Sequence, residues 1–316
     1  MTRFLAKRLA TFAATLIGAS ILIFLMLEIL PGNPAQVLLG PEAPPATVEA
    51  MAHKLGVDRP PVERYLDWVG GMLRGDFGTS YAYGTPVGGL VRDRLAVSLP
   101  LALMAMVLTT FIGLMLGVGA AARRGGWLDL GLMGLSQLGI AIPSFWLAIL
   151  LILLFAVDLH WFSAGGFPGW HAGFWPALRA LTLPAISLAA VQGAILARIT
   201  RSAVLEVARE DFVRTAHAKG LTAQQALWRH VLRNALIPIA TIMGLQFTSL
   251  IAGTIVIENV FYLPGLGQLA FQSISNRDIA VVRDVVMLLA ALVVLVNLIV
   301  DLLYVIIDPR LEAHDL

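Results

Sequence analysis

The chain has 316 residues, of which 58% are hydrophobic and only 13% charged, whereas ordinary soluble domains have roughly 45–50% and 25%. This composition excludes a soluble enzyme and indicates an integral membrane protein. The 22 Lys and Arg nearly balance the 20 Asp and Glu, so no nucleic-acid surface is indicated. The chain has no cysteine, which excludes disulfides, thiolate nucleophiles and zinc ribbons.

Six apolar stretches are long enough to cross a bilayer, which takes about 20 residues of helix. They are residues 9–27, 95–122, 130–157, 180–197, 234–257 and 285–307. Two further uncharged stretches, 159–178 and 259–276, are interrupted by Gly, Pro and amide residues that would leave backbone groups unsatisfied in lipid. We therefore predict an all-α integral membrane protein with six transmembrane helices, and we interpret these two stretches as interfacial or re-entrant connections.

The distribution of basic residues predicts the orientation. If the chain starts inside, the N-terminus and the loops 123–129, 198–233 and 308–316 carry 13 of the 22 basic residues. The short outer loops carry Arg179, Arg277 and Arg283. Because positive charge accumulates on the cytoplasmic side, both termini are expected in the cytoplasm.

The predicted spans divide the chain into four regions. Residues 1–30 form an N-terminal cytoplasmic stub and the first transmembrane helix, and 31–97 form an extracytoplasmic segment. Residues 98–307 form a five-helix core that contains a cytoplasmic loop at 198–235, and 308–316 form a cytoplasmic tail.

The extracytoplasmic segment contains two predicted amphipathic helices. Apolar residues recur at helical spacing within 48–55, between Thr47 as a cap and Gly56 as an end. A second helix is predicted to begin at Pro60–Pro61 and to weaken at Gly70–Gly71. The segment is too short for a large core of its own, so it either covers the span ends or forms a docking surface for an external partner.

The loop at 198–235 is long, charged and helical in pattern. Leu205, Ala208, Phe212 and Ala216 share one helical face, and Gly220 is expected to end this helix.

A second helix is predicted to follow at once. Thr222 and Gln225 have capping-box spacing, and Pro238 is expected to end or kink the run where the fifth span begins. The pair of helices is either a solvated connector or a rigid knob that fits a groove on another protein.

The motifs of this loop resemble those of the inner-membrane permease subunits of binding-protein-dependent ABC importers, in the dipeptide, oligopeptide and nickel subfamily. Residues 214–220 read Arg-Thr-Ala-His-Ala-Lys-Gly, similar to that subfamily's coupling motif, in which Arg replaces the first Glu of Glu-Ala-Ala-x-x-x-Gly. Further similar stretches cover most of the chain, at 30–34, 75–80, 232–238, 263–267, 297–304 and 308–310. The sequence departs from the family at Asn33, where Asp is frequent, and at His217, where Arg is common.

The resemblance implies a type I ABC importer permease in a bacterial cytoplasmic (inner) membrane. It implies as partners a second, paralogous permease, two cytoplasmic ATPase subunits that bind ATP and Mg²⁺, an extracytoplasmic substrate-binding protein and membrane lipid. It implies di- or oligopeptides as substrate, with nickel chelates, glutathione or other small conjugates as alternatives. The residues that it assigns to ATPase coupling are Phe212, Arg214, Thr215, Ala216, Lys219, Gly220 and Leu221.

Other classes of function have less support. No H-E-x-x-H, G-x-S-x-G or P-loop sequence is present, so we expect no catalytic residue, metal site or bound cofactor in this chain. An ion-coupled secondary carrier, the remaining alternative, needs ionisable groups deep in the bundle, and only Glu28, Glu258 and Asp301 come near the predicted spans.

Four polar residues are candidates for a pathway or gate. They are Gln192, Gln246, Glu258 and Asn297. For the amides, helix-to-helix hydrogen bonding is the simpler interpretation. Glu258 is expected at a solvated end of its span unless it forms part of an outer gate.

Overall fold

The computed structural model describes residues 2–29, 34–40 and 42–307. Residues 30–33, which contain Asn33, and the predicted tail 308–316 lie outside this part of the chain. The helices are α1 (Thr2–Ile29), α2 (Pro34–Leu39), α3 (Pro45–Leu55), α4 (Pro61–Leu73), α5 (Val87–Ala122), α6 (Trp127–Ala141), α7 (Ser144–Leu151), α8 (Phe174–Val207), α9 (Asp211–Ala218), α10 (Ala223–Ala226), α11 (Leu232–Val260), α12 (Leu266–Ser275) and α13 (Ile279–Ile307). The prediction of an all-α protein is confirmed.

Within the described residues, five helices are long and apolar enough to cross a membrane. They are Leu5–Ile29, Val87–Ala122, Phe174–Val207, Ala223–Val260 and Ile279–Leu302. Each contains most or all of a predicted span, and each is longer than the uncharged run from which it was predicted. A single helix tolerates a few charged residues at its ends because long side chains reach the interface.

The predicted third span, 130–157, has a different form. It is a pair of helices, α6 and α7 with its π-helical extension Ile152–Asp158, bent by 99°. The bend lies at Pro143, which keeps the preceding Ile142 in an extended conformation at φ −91° and ψ 122°, since a proline ring disfavours a helical residue before it. The predicted span is thus present as a bent pair, which is either one broken span or a re-entrant loop.

The two helices predicted in segment 31–97 are present. Helix α3 begins at Pro45, earlier than the predicted cap at Thr47, because prolines at the first positions favour a helix start. It ends at Gly56, which has φ 67°, as predicted. Helix α4 begins at Pro61 as predicted and continues through Gly70 and Gly71 to Leu73.

The helices form two compact units, of which the first comprises Met1–Ser98 and Pro264–Leu298. In one of its cores, Phe24 of α1 packs with Trp68 of α4 and Met287 of α13. In another, the start of α5 packs against α12 and α13. Helix α4 and the start of α5 therefore share cores with α1, α12 and α13.

The second unit comprises Leu99–Leu263 and Ile299–Leu316. Helix α8 has a long series of buried residues and packs against α6, α7 and α11. Pro184 lies inside α8 and Pro238 inside α11. Of the two outcomes expected at Pro238, an end or a kink, the end is excluded, because the helix runs from Ala223 to Val260.

Glycines bring α5 and α8 close together in this unit. A Cβ at Gly113 would lie 2.6 Å from Leu196, and a Cβ at Gly117 would lie 2.6 Å from the carbonyl oxygen of Ala197. Small residues allow the close backbone approach that drives helix association in lipid.

Candidate functional site

The predicted helix through Leu205 and Ala216 is interrupted. Helix α8 ends at Val207, Glu210 is extended at ψ 149°, and α9 begins at Asp211. The interruption changes the helical phase, so Phe212 is 43% exposed while Val213 is buried in its place. The prediction of one continuous apolar face was wrong for this reason.

Gly220 ends α9 as predicted. It has φ 91°, and the backbone N–H groups of Gly220 and Leu221 donate to the carbonyl oxygens of His217 (2.9 Å) and Ala216 (3.2 Å). These two bonds form a Schellman motif, in which a glycine adopts the left-handed conformation that other residues avoid. No atom lies within 4 Å of a Cβ built at Gly220, so the restriction is conformational and the surface beside it is open.

The next helix begins with the predicted capping box. The Oγ1 atom of Thr222 accepts a hydrogen bond from the backbone N–H of Gln225 at 3.3 Å, and the Oε1 atom of Gln225 accepts one from the backbone N–H of Thr222 at 3.0 Å. Helices α9 and α10 are thus joined by a short connection that is hydrogen-bonded on both sides, which makes the pair rigid.

This helix pair shares a core with the ends of membrane helices. Val213 of α9, Ala226 of α10 and Val231 pack with Val204 of α8 and Val118 of α5. Ala235 and Ile239 of α11 belong to the same core, so the pair packs directly on the ends of α5, α8 and α11.

The opposite side of the pair is exposed. We call it the coupling surface and define it by the exposed residues Phe212, Arg214, Thr215, Lys219, Gly220 and Trp228. Of the predicted coupling residues, Ala216 is buried and Leu221 half-buried, so Ala216 contributes packing rather than a contact surface. Lys219, Gly220 and Trp228 also line a small cavity of about 390 Å³.

The sequence analysis did not identify Trp228 as a candidate site residue. It is 59% exposed, although a tryptophan is usually largely buried. Trp228 lies in the π-helical turn Leu227–Val231 that joins α10 to α11. The signal was present in the sequence, since Trp and Arg are enriched among interface anchors and Trp228 stands next to Arg229.

A partly buried ion pair between α6 and α8 was also missed. Asp129, in the first turn of α6, accepts hydrogen bonds from the Nε and Nη2 atoms of Arg201 of α8, both at 2.7 Å. It also accepts the backbone N–H of Gly125 at 2.9 Å. The bidentate geometry fixes the start of α6 to α8.

The four candidate pathway residues have different surroundings. Gln246 of α11 donates through Nε2 to the backbone carbonyl oxygen of Gln192 of α8 at 2.9 Å, a helix-to-helix hydrogen bond of the kind expected for the Gln246 amide. Glu258 is fully buried, so the expectation of a solvated end was wrong. Asn297 lies exposed on α13.

Comparisons with known proteins agree with this architecture. Residues 113–313 match the family described as binding-protein-dependent transport system inner membrane component, and residues 1–102 match the N-terminal model of such membrane components. A protein from Brucella suis biovar 1 that carries the name of a peptide transport system permease is 42% identical over 312 residues, covering 99% of both chains. The di/tripeptide transport system permease protein DppB of Pseudomonas aeruginosa is 39% identical over 333 residues, again covering 99% of both.

The MetNI methionine ABC transporter, solved in inward-facing conformations, has the same fold. Its matching chain has a TM-score of 0.57 at 19% identity, covering 69% of this chain and 96% of that chain. The chain therefore belongs to the binding-protein-dependent inner-membrane permeases of ABC importers and has their type I fold.

Proposed function

We propose that this chain imports di- and oligopeptides by forming half of a transmembrane pathway that is opened and closed by ATPase subunits. The names of its relatives in Brucella and Pseudomonas support peptides as the substrate class. The observation that carries the coupling role is the exposed, hydrogen-bonded helix pair α9–α10, whose buried side packs on the ends of three membrane helices.

The coupling surface suits docking to an ATPase dimer. Phe212 and Trp228 offer aromatic anchors, which commonly dominate interface energetics, and the exposed Lys219 adds a positive charge to the same surface. ATP binding closes the ATPase dimer and moves the docked helix pair as one body. Because the pair is packed on α5, α8 and α11, this motion shifts the pathway between inward and outward access, with ATP favouring one of the two states.

The remaining assignments follow from the same scheme. The coupling surface and both termini lie in the cytoplasm, and segment 31–97 lies outside, where it receives the substrate-binding protein. A second, paralogous permease supplies the other half of the pathway, and two ATPase subunits supply ATP and Mg²⁺ binding.

The test is peptide uptake by the purified assembly in proteoliposomes. Radiolabelled trialanine should accumulate only with ATP and the substrate-binding protein, and an ionophore mixture that collapses ion gradients should leave uptake unchanged. Uptake that proceeds without ATP and stops with the ionophores would instead identify an ion-coupled carrier.

A further inference from the structure

The first unit contains a charged cavity that the coupling scheme does not use. It has a volume of about 530 Å³ and lies between the end of α1, helices α3 and α4, the connection to α5 and the start of α13. Pockets for small molecules commonly have volumes of about 300–1,000 Å³. Its wall combines aromatic rings, among them Trp68, Phe77 and Tyr81, with several ionisable groups.

Two of the three cations in the wall form close, hydrogen-bonded ion pairs with acidic side chains. Arg59 forms ion pairs with Glu63 at 3.2 Å and with Asp67 at 2.6 Å. Arg64 forms an ion pair with Glu28. These guanidinium groups are held by the protein itself and are poorly available for a ligand.

The third cation, Arg283, has a longer ion pair without a hydrogen bond. Its side chain is 21% exposed, and its Nε atom lies 3.9 Å from Oδ1 of Asp284, beyond hydrogen-bond distance. The Nε atom is buried without a hydrogen-bond partner. The guanidinium group lies 4.7 Å from the centre of the Trp68 ring, whose Nε1 atom donates to Oδ1 of Asp284 at 2.6 Å. Trp68 and Asp284 therefore fix the position of the Arg283 side chain, while its Nε–H group donates no hydrogen bond.

Two carboxylates in the same wall have no cationic partner. Asp58 and Asp76 are exposed, and neither forms a salt bridge within the described residues. Once the close ion pairs are set aside, the cavity presents one guanidinium with an unused donor and two carboxylates without a cationic partner. Of these, Asp76 also accepts the backbone N–H of Gly78 at 2.9 Å. A ligand that complements this pattern carries both a carboxylate and an ammonium group.

We propose that this cavity binds a short peptide, with its C-terminal carboxylate on Arg283 and its ammonium group neutralised by Asp58 and Asp76. Arginine recognises carboxylates through paired, charge-assisted hydrogen bonds, and the aromatic wall packs against peptide side chains. An acidic side chain of a docked protein supplies a carboxylate without the ammonium group, and the unpaired aspartates disfavour purely anionic ligands. This inference rests on the proposed function, because it takes peptides as the substrate class.

The experiment measures binding of radiolabelled trialanine to the complete transporter in nanodiscs, without the substrate-binding protein and without ATP. Unlabelled trialanine, its C-terminal amide and its N-acetyl derivative compete for the site. The amide and the N-acetyl derivative should each compete about 10-fold less well than trialanine, since each lacks one charge-assisted contact.

Two double variants and a single-substitution control test which residues contact the peptide. The double variant Arg283→Gln/Asp284→Asn removes both charges together, so no buried carboxylate is left unpaired; it should abolish the preference for trialanine over its amide. Asp58→Asn/Asp76→Asn should abolish the preference over the N-acetyl derivative. Arg277→Gln changes an exposed arginine outside the cavity and should retain both preferences. If Arg283→Gln/Asp284→Asn does not assemble, the single variant Arg283→Lys replaces it. Lysine keeps the charge but loses the planar fork, so this variant should reduce the preference for trialanine over its amide.

The outcomes separate this inference from the proposed function. Wild-type transporter that imports trialanine but binds trialanine and its amide equally overturns the inference and leaves the function standing. Failure of ATP-dependent trialanine uptake overturns the function. Arg283→Gln/Asp284→Asn could instead lose the ATP hydrolysis that the substrate-binding protein stimulates while its trialanine binding stays unchanged. That result would identify the cavity as a protein-docking contact and overturn the inference.

Discussion

Arg201 and Asp129 form two parallel hydrogen bonds of 2.7 Å that join the end of α8 to the start of α6. Helix α8 leads directly into the turn before α9, which carries part of the coupling surface. The ion pair therefore extends the rigid connection from the coupling surface to a fourth helix, α6. We therefore expect a movement imposed on α9 to reach the helix pair α6–α7 through α8.

We predict that Arg201→Gln destabilises the protein. The side chain of Asp129 is only 5% exposed, and loss of Arg201 leaves its carboxylate without the two charge-assisted hydrogen bonds that stabilise it. The midpoint of thermal unfolding of the purified transporter should fall, and the double variant Arg201→Gln/Asp129→Asn should recover part of the loss.

The control for Arg201 is Arg214→Gln. Arg214 pairs with Asp211 at 3.0 Å, but its side chain is 77% exposed, and exposed pairs contribute little to stability. Equal unfolding midpoints for the Arg201 and Arg214 variants would contradict the structural role of the partly buried pair.

We predict that Gly220→Val uncouples ATP hydrolysis from uptake. A residue with a Cβ at φ 91° is strained by about 1–2 kcal/mol, which breaks the Schellman motif and changes the angle between α9 and α10. Trialanine imported per ATP hydrolysed should fall while the subunits still assemble. The control Gly131→Val lies in α6 with open space around it; an identical transport ratio in the two variants would reject the prediction.

We predict that Trp228→Ala weakens ATPase docking. Removal of an exposed aromatic anchor costs an interface about 2 kcal/mol or more, whereas its effect on folding should be small because the ring is mostly exposed. The amount of ATPase that co-purifies with the permease should decrease. Trp127→Ala provides the matched control, since Trp127 is 90% exposed and lies outside the coupling surface. Retention of ATPase by the Trp228 variant at the control level would show that this side chain is no anchor.

We predict that Gly117→Val disrupts packing of α5 on α8. The first added carbon would lie 2.5 Å from Cβ of Thr200 and 2.6 Å from the carbonyl oxygen of Ala197, and overpacking typically costs about 1–3 kcal/mol. Thermal unfolding should occur at a lower temperature than in Gly134→Val, which changes a glycine with no neighbour within 4 Å. Equal unfolding temperatures would contradict the close approach of the two helices.

The sequence predicts elements whose signals are local. Thr222 and Gln225 form their capping box, and Gly220 and Gly56 end helices, because each feature depends on a few neighbouring residues. Long apolar runs predict membrane helices for a similar reason: a bilayer requires length and hydrophobicity more than any specific contact.

Features that depend on tertiary contacts were missed. The break at Glu210 carries no glycine or proline, so periodicity alone favoured a continuous helix through Phe212.

Arg283 and Asp284 were placed outside the last span because the uncharged run begins at Val285, yet α13 includes both. Their placement depends on Trp68, which is distant in sequence and supplies a ring and an indole N–H.

The measurement that tests the central claim most directly is site-specific photocross-linking at the coupling surface in native membranes. Phe212, which is exposed, is replaced by benzoylphenylalanine, a photoreactive analogue of similar shape, and Trp127 is replaced in the same way as a control. Irradiation should join the Phe212 variant, and not the Trp127 variant, to an ATPase subunit identified by mass spectrometry. Absence of an ATPase adduct at position 212, in a transporter that still imports trialanine with ATP, would contradict coupling through this surface.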